Sequence, residues 1–315
     1  MKIYFTFDPR PDLKESLVGD FPEVAFVFEK RVSEEHLADC DILVTYGEDL
    51  TDEHIAIADK LEWIFVASAG VEKMPAQAIA DRGIYVSNVR GIHKKPMTES
   101  ILAHILAIKR NLPAIYKKQD ERAWGRHKIK FSELNGSTAL ILGPGAIGQE
   151  IGRVLQAFEV HTIGCNTSGE PVSYMNETVP MAELESVLGE ADIIISMLPS
   201  TEKTRGLITA EHFKLMKNSA IFMNFGRGDL VSNEIIIEAV ENNEIGYVVL
   251  DVFEEEPLDE DSPLWSFENV IVSPHVSSHS SRYLERSFEI FKPSLYEWIK
   301  GERRLQNEVN LLRGY

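Results

Sequence analysis

The chain has 315 residues, 44% hydrophobic and 26% charged, with a formal charge of −18. That composition fits an ordinary globular protein long enough for two cores, and the acidity argues against nucleic acid or an anionic membrane as partner. Cys40 and Cys165 form neither a disulfide framework nor a metal-ligand spacing, no apolar run reaches the length of a membrane span, and the start MKIYFTFDPRPD lacks the layout of a signal peptide. A cytoplasmic protein without a metal site is expected.

Residues 2–7 read as a strand stopped by Asp8-Pro9-Arg10-Pro11. Strands follow at 23–28, 41–45, 61–67 and 84–87, with helical stretches at 33–39 and 52–60 between them. This alternation predicts a small parallel α/β layer. After Pro96 comes a long helix through ILAHILAIKR, apolar enough to be expected at a domain or subunit boundary. Residues 117–130 are charged and polar apart from Trp124, and read as a solvated connection.

The stretch from 137 to 158 is more specific. An apolar strand over 137–142 runs into Gly143-Pro144-Gly145-Ala146-Ile147-Gly148, and a helix with Ile151, Val154, Leu155 and Phe158 on one face follows. Strand, glycine turn and helix form a dinucleotide fingerprint: the glycines allow a tight turn and close approach to a pyrophosphate, which faces the helix N-terminus. A second strand at 160–164 and apolar runs at 192–198, 220–224, 247–250 and 270–272 make 96–280 a doubly wound sheet that begins mid-chain. A helical stretch from 281 to Trp298 returns to the first layer. The expected organisation is therefore one domain of residues 1–95 and 281–315, and an inserted dinucleotide-binding domain of 96–280.

Ligands of such sheets sit beyond the carboxyl ends of the strands, and three ionisable residues follow those ends: Arg227, Glu256 and His275. Arginine presents a planar two-pronged donor to a carboxylate or carbonyl oxygen. Histidine titrates near neutrality and can donate a proton in one direction and accept it in the other, and a neighbouring carboxylate would fix its tautomer. The set suits reduction of a 2-oxo acid.

The runs GPGAIG, MLPSTEKTRGLI, NFGRGDLV, DVFEEEPL and SPHVS, with Ala67-Ser68-Ala69-Gly70-Val71 and Asn88-Val89-Arg90-Gly91 upstream, resemble the D-isomer-specific 2-hydroxyacid dehydrogenases over essentially the whole chain. The resemblance implies a flavodoxin-like substrate domain beside an inserted Rossmann-type domain, and a reaction yielding an (R)-2-hydroxy acid. It makes Arg227 the substrate anchor and His275 the acid/base paired to Glu256. The backbone amides of Ser68, Ala69 and Gly70 would hold the substrate carboxylate. Asp251 would meet the nicotinamide carboxamide, Pro199 and Thr204 would line the coenzyme, and Thr98 would face the nicotinamide. Glu254 and Glu255 read as solvated. A homodimer formed through the helix after Pro96 is also implied. A nucleotide-sensing corepressor of the same fold is the alternative reading.

NAD sites usually end the second strand of the fingerprint unit in Asp or Glu, which binds the adenosine ribose. Here that strand runs into Cys165-Asn166-Thr167-Ser168-Gly169. No carboxylate repels a 2′-phosphate, and Asn166, Thr167 and Ser168 are phosphate-compatible donors. NADP(H) is favoured, with NAD(H) admitted if the loop is merely tolerant. Thr167 stands where NADP-using members of the family often carry Arg.

Overall fold

The computed structural model describes residues 1–311 apart from 72, 126 and 128. Short apolar strands alternating with helices sort the chain into two compact units, Met1–Ile92 with Ser280 onward, and His93–His279.

The first unit contains β1 (Lys2–Phe5), α1 (Pro11–Asp20), β2 (Ala25–Phe28), α2 (Glu34–Leu37), β3 (Ile42–Thr45), α3 (Asp52–Ile57), β4 (Trp63–Val66), α4 (Ala76–Asp81) and β5 (Tyr85–Asn88). Its five strands are parallel in the order β2-β1-β3-β4-β5, a flavodoxin-like arrangement. The two-residue period of each strand puts Ile3, Phe5, Ile42, Val44, Trp63 and Phe65 into one core cluster. Tyr4, Leu43, Ile64 and Val66 point into another, against Leu37, Ile55 and Ile79. Pro11, read from sequence as a stop, is also a start. It occupies the first turn of α1, where the missing N–H has no intrahelical partner to lose.

The second unit contains α5 (Lys94–Lys109), α6 (Leu112–Asp120), β6 (Thr138–Leu142), α7 (Ala146–Ala157), β7 (His161–Asn166), β8 (Glu177–Pro180), α8 (Leu184–Leu188), β9 (Ile193–Ser196), α9 (Ala210–Leu215), β10 (Ile221–Asn224), α10 (Asn233–Glu241), β11 (Tyr247–Leu250) and β12 (Val270–Val272). All seven strands are parallel, in the order β12-β11-β10-β9-β6-β7-β8. Counted from β6, that is the Rossmann order with one strand added, and its reversal point lies between β6 and β9. α11 (Tyr283–Ile299) then returns the chain to the first unit, where Phe288, Phe291, Leu295 and Trp298 join the core of Trp63 and Phe65.

Two expectations are corrected and one strand is added. α5 begins two residues before Pro96, which sits in the first helical turn and needs no donor there. It starts at the boundary between the two units, and its buried face packs within the second: Met97, Ile101, Ile105 and Ile108 join Ala139, Ile141, Ile151 and Leu155. The connection read over 117–130 is helical as far as Asp120, because α6 continues the 112–116 stretch. β8 was not anticipated, since an edge strand of sequence ETVP ending in proline carries no apolar run. Among the described residues no helix is long and apolar enough to cross a membrane.

Candidate active site

The glycine turn after β6 assigns a different physical job to each glycine. Gly143 has φ +81°, the left-handed region that favours glycine. Gly145 caps α7, and a Cβ built on it would meet nothing within 4 Å, so its face is open to a ligand. A Cβ on Gly148 would lie 2.8 Å from the Gly143 carbonyl oxygen, so only glycine lets α7 sit this close to β6. Ala146 and Ile147 begin the helix, whose N-terminus suits a phosphate. These features fit a dinucleotide pyrophosphate.

β7 ends at Asn166, and there the side chain turns inward. Its Oδ1 accepts the N–H of Ser168 (3.0 Å) and of Gly169 (2.6 Å), while its Nδ2 donates to the Glu170 carbonyl (2.9 Å). The Asn166 amide is thus used to shape the loop, and the exposed residues left to meet a ribose substituent are Thr167 and Ser168. Pro199 and Thr204 lie together past β9: Thr204 Oγ1 donates to the Pro199 carbonyl at 2.6 Å and accepts the Thr201 N–H at 2.9 Å.

Three adjacent strands present the ionisable residues. Arg227 follows β10, Glu256 follows β11 and His275 follows β12, all at the carboxyl edge. His275 Nδ1 is 2.7 Å from Glu256 Oε2, and Glu256 Oε1 accepts the Phe253 N–H at 3.1 Å. The carboxylate is therefore oriented from the backbone, and Nε2 is the ring nitrogen left for chemistry. Both side chains are solvent-accessible, at 49% and 36%.

Arg227 is held by its neighbours. A Cβ on Gly226 would sit 2.4 Å from the Leu198 carbonyl oxygen, and one on Gly228 would sit 1.9 Å from the Phe253 carbonyl. The Arg227 backbone is thus wedged between the turn after β9 and the segment leading to Glu256. Asn224, a buried residue the sequence reading passed over, braces the same loop: its Nδ2 donates to the Arg227 carbonyl (2.9 Å) and its Oδ1 accepts the Gly226 N–H (3.2 Å). An Asn at a strand end before a glycine turn is the signal that reveals it. The Arg227 guanidinium donates to the Gly226 carbonyl at 2.8 Å, and among the described residues no carboxylate pairs with it.

Asp251, just past β11, has a larger role than the resemblance implies. It is 1% exposed. Oδ1 accepts from Ser273 Oγ (2.5 Å) and the Val276 N–H (3.0 Å), and Ser277 N–H bridges both oxygens at 3.2–3.3 Å. These bonds bracket His275, whose φ of +54° is unusual for a residue with a side chain. Oδ2 retains acceptor capacity for a carboxamide. Two buried hydroxyls in this unit, Thr98 Oγ1 and Ser277 Oγ, have no hydrogen-bond partner among the described residues. Orphaned polar groups of this kind fit a site that a polar cofactor completes. Half-buried His104 stands 6.1 Å, ring to ring, from Phe225. Burial pushes its pKa down and Asp251 partly opposes this.

Ser68, Ala69 and Gly70 belong to the first unit, past β4. Ser68 Oγ lies 2.9 Å from the Tyr46 carbonyl and 2.8 Å from that of Gly70, its one proton serving either, and Asn88 Nδ2 donates to the Ala69 carbonyl (2.8 Å). Tyr283 OH, on α11, donates to the Ala67 carbonyl at 2.8 Å. Glu254, read as solvated, accepts the Asn233 N–H at the start of α10 (2.7 Å). Both cysteines are buried, which pushes the Cys40 thiol up to about 12 and that of Cys165 up to about 11. Neither is suited to thiolate chemistry. Among the described residues no group of three or more His, Cys, Asp or Glu could hold a metal ion.

A family model described as the NAD binding domain of D-isomer specific 2-hydroxyacid dehydrogenases matches residues 102–277, more than half of the chain. The chain belongs to this family. A solved structure of a D-isomer specific 2-hydroxyacid dehydrogenase family protein from Aeromonas salmonicida subsp. salmonicida is 30% identical, with 98% of each chain covered and a TM-score of 0.80. D-3-phosphoglycerate dehydrogenase of Methanocaldococcus jannaschii is 31% identical over 92% of this chain, which spans 55% of that relative's length. Glyoxylate reductase of Thermofilum pendens is 29% identical over 85% of this chain and 80% of its own. The family accounts for the two parallel sheets and for a coenzyme-binding second unit.

Proposed function

We propose that this dehydrogenase reduces a 2-oxo acid to the (R)-2-hydroxy acid and prefers NADPH as reductant. The reading is carried by the 2.7 Å His275–Glu256 pair at the carboxyl edge of a coenzyme-type sheet. Arg227, a cation without a carboxylate partner among the described residues, stands two strands away. A bound nicotinamide coenzyme supplies the hydride. The chain's residues do the rest: Arg227 binds the anionic substrate and polarises its carbonyl, and the amides of Ser68, Ala69 and Gly70 hold the carboxylate. Glu256 keeps the Nδ1 proton in place, so His275 Nε2 protonates the carbonyl oxygen as charge develops there.

For the coenzyme, Gly143 to Gly148 and the start of α7 would take the pyrophosphate. Pro199 and Thr204 would line it, and Asp251 Oδ2 would accept from the carboxamide. Preference for NADPH rests on the missing carboxylate at Asn166 and the exposed hydroxyls of Thr167 and Ser168. We further propose a cytoplasmic homodimer. Trp124 is 96% exposed beside an apolar cavity of about 490 Å³ that it shares with Ile115 and Ile129, an unusual cost for a free surface.

The test follows loss of reduced-nicotinamide absorbance with NADH and NADPH against glyoxylate, hydroxypyruvate, pyruvate, phenylpyruvate and branched 2-oxo acids. Turnover of at least one acid with NADPH the better coenzyme is expected. Coenzyme binding without turnover of any of them would overturn the reductase reading and favour a sensing role.

A further inference from the structure

Two loops that meet coenzyme and substrate are joined by a polar clamp the reaction itself does not require. Asp229, two residues past Arg227, has a carboxylate oxygen that accepts from Ser200 Oγ at 2.5 Å and from Arg205 Nε at 3.1 Å. Arg205 Nε also lies 3.3 Å from Ser200 Oγ, closing a three-membered cluster. The backbone follows the same line: Gly206 N–H donates to the Asp229 carbonyl (2.8 Å), and Ile208 N–H to that of Leu230 (3.1 Å). Ser200 lies within the Pro199–Thr204 turn and Arg205 directly follows it, and the turn is closed by its own bonds. At the other end of the turn, Leu198 is pressed against Gly226. The turn is therefore held on both sides of Arg227, by packing between Leu198 and Gly226 and by the partly exposed Arg205–Asp229 ion pair with its Ser200 hydrogen bond.

We propose that Asp229 is a positioning residue that couples coenzyme binding to presentation of Arg227. This rests on the function proposed above. When coenzyme settles against the turn, the Asp229–Arg205–Ser200 cluster carries that order to the segment holding the arginine, so coenzyme and 2-oxo acid bind with positive linkage. The packed contact alone leaves one end of the turn free. The clamp removes that freedom, and being half exposed it contributes modestly.

Linkage is measured without turnover. The dissociation constant of NADPH is determined by its fluorescence, with and without saturating oxamate, a non-reducible isostere of a 2-oxo acid. In the wild type oxamate tightens NADPH binding. In Asp229→Asn the tightening shrinks by about fivefold, the scale of one partly exposed ion pair, while NADPH affinity without oxamate stays within about twofold. Because the pair is the coupling element, Arg205→Asp combined with Asp229→Arg restores most of the linkage lost in either single variant. Absence of linkage in the wild type, unchanged linkage in Asp229→Asn, or a double variant no better than the singles would each overturn the proposal. Failure of the reductase reading shows separately, as wild-type protein that turns over no 2-oxo acid.

Discussion

Removing the Asp251 carboxylate should loosen the loop that carries His275, and the size of the effect follows from the groups left behind. In Asp251→Ala, the Ser277 N–H, in a buried residue, loses its acceptor, which costs about 1–3 kcal/mol. The buried Ser273 hydroxyl loses its acceptor as well but can rotate to another, and Val276 is 39% exposed, so these two losses cost less. Deleting a buried charge that no cation pairs with among the described residues offsets part of the cost. A net destabilisation of about 2 kcal/mol results. The catalytic consequence is larger. His275 holds a positive φ that costs on the order of 1–2 kcal/mol for a residue with a Cβ, and Asp251 is what pins both sides of it. Released, the loop relaxes, the 2.7 Å contact with Glu256 is lost, and turnover drops by about 10²-fold, as for an ångström-scale misplacement. Asp251→Asn keeps one acceptor oxygen and falls between the two. Urea unfolding and steady-state turnover on the best 2-oxo acid read both effects. Wild-type stability together with turnover within about twofold of wild type in Asp251→Ala would refute the assignment.

The pattern of apolar runs made both sheets legible, because strands of parallel sheets are buried on both faces and read as continuous hydrophobic segments. Ile193–Ser196 and Ile221–Asn224 are fully buried examples. Arg227, Glu256 and His275 were legible for a related reason: each comes just after such a run, where parallel sheets place their sites. What sequence did not reveal are bonds between segments with no local pattern. Ser273 and Asp251 are 22 residues apart, and Ser200 and Asp229 are 29 apart. Only the fold brings them together. Asn166 misled in another way. It was read as a phosphate-compatible donor beside Thr167 and Ser168, whereas a loop of small residues lets an Asn side chain satisfy its own backbone first. The edge strand β8 escaped because an edge position does not require apolar residues on both faces.

Further outcomes follow from the same geometry. His275→Ala should lower turnover by about 10²–10⁴-fold, the range for a general acid, and leave the NADPH dissociation constant nearly unchanged; intact turnover would reject the acid/base role. Gly228→Ala puts a Cβ 1.9 Å from the Phe253 backbone, which cannot yield as a side chain can. A stability loss of about 3 kcal/mol is expected in urea unfolding, and a variant as stable as the parent would contradict the wedge. Burial pushes Tyr283 up to about 12, so the fold favours its neutral phenol. That stability is present below about pH 10, the ordinary phenol value, and is lost as pH rises toward 12. Urea midpoints should fall across that window in wild type and less in Tyr283→Phe; parallel curves would refute this. Asn166→Asp tests coenzyme choice most directly. Aspartate matches asparagine in shape and keeps the oxygen that accepts the Ser168 and Gly169 N–H groups, so the loop stays folded. The contact of Nδ2 with the Glu170 carbonyl, 2.9 Å, becomes oxygen against oxygen, which turns the new carboxylate oxygen away from the backbone. The new charge opposes a 2′-phosphate but can accept from a ribose hydroxyl. NADPH should therefore weaken about tenfold, or ~1.4 kcal/mol, while NADH holds or improves, measured as Kd by fluorescence. An unchanged ratio of the two constants would show that the end of β7 does not face the 2′-position, and the NADPH preference would lose its structural basis.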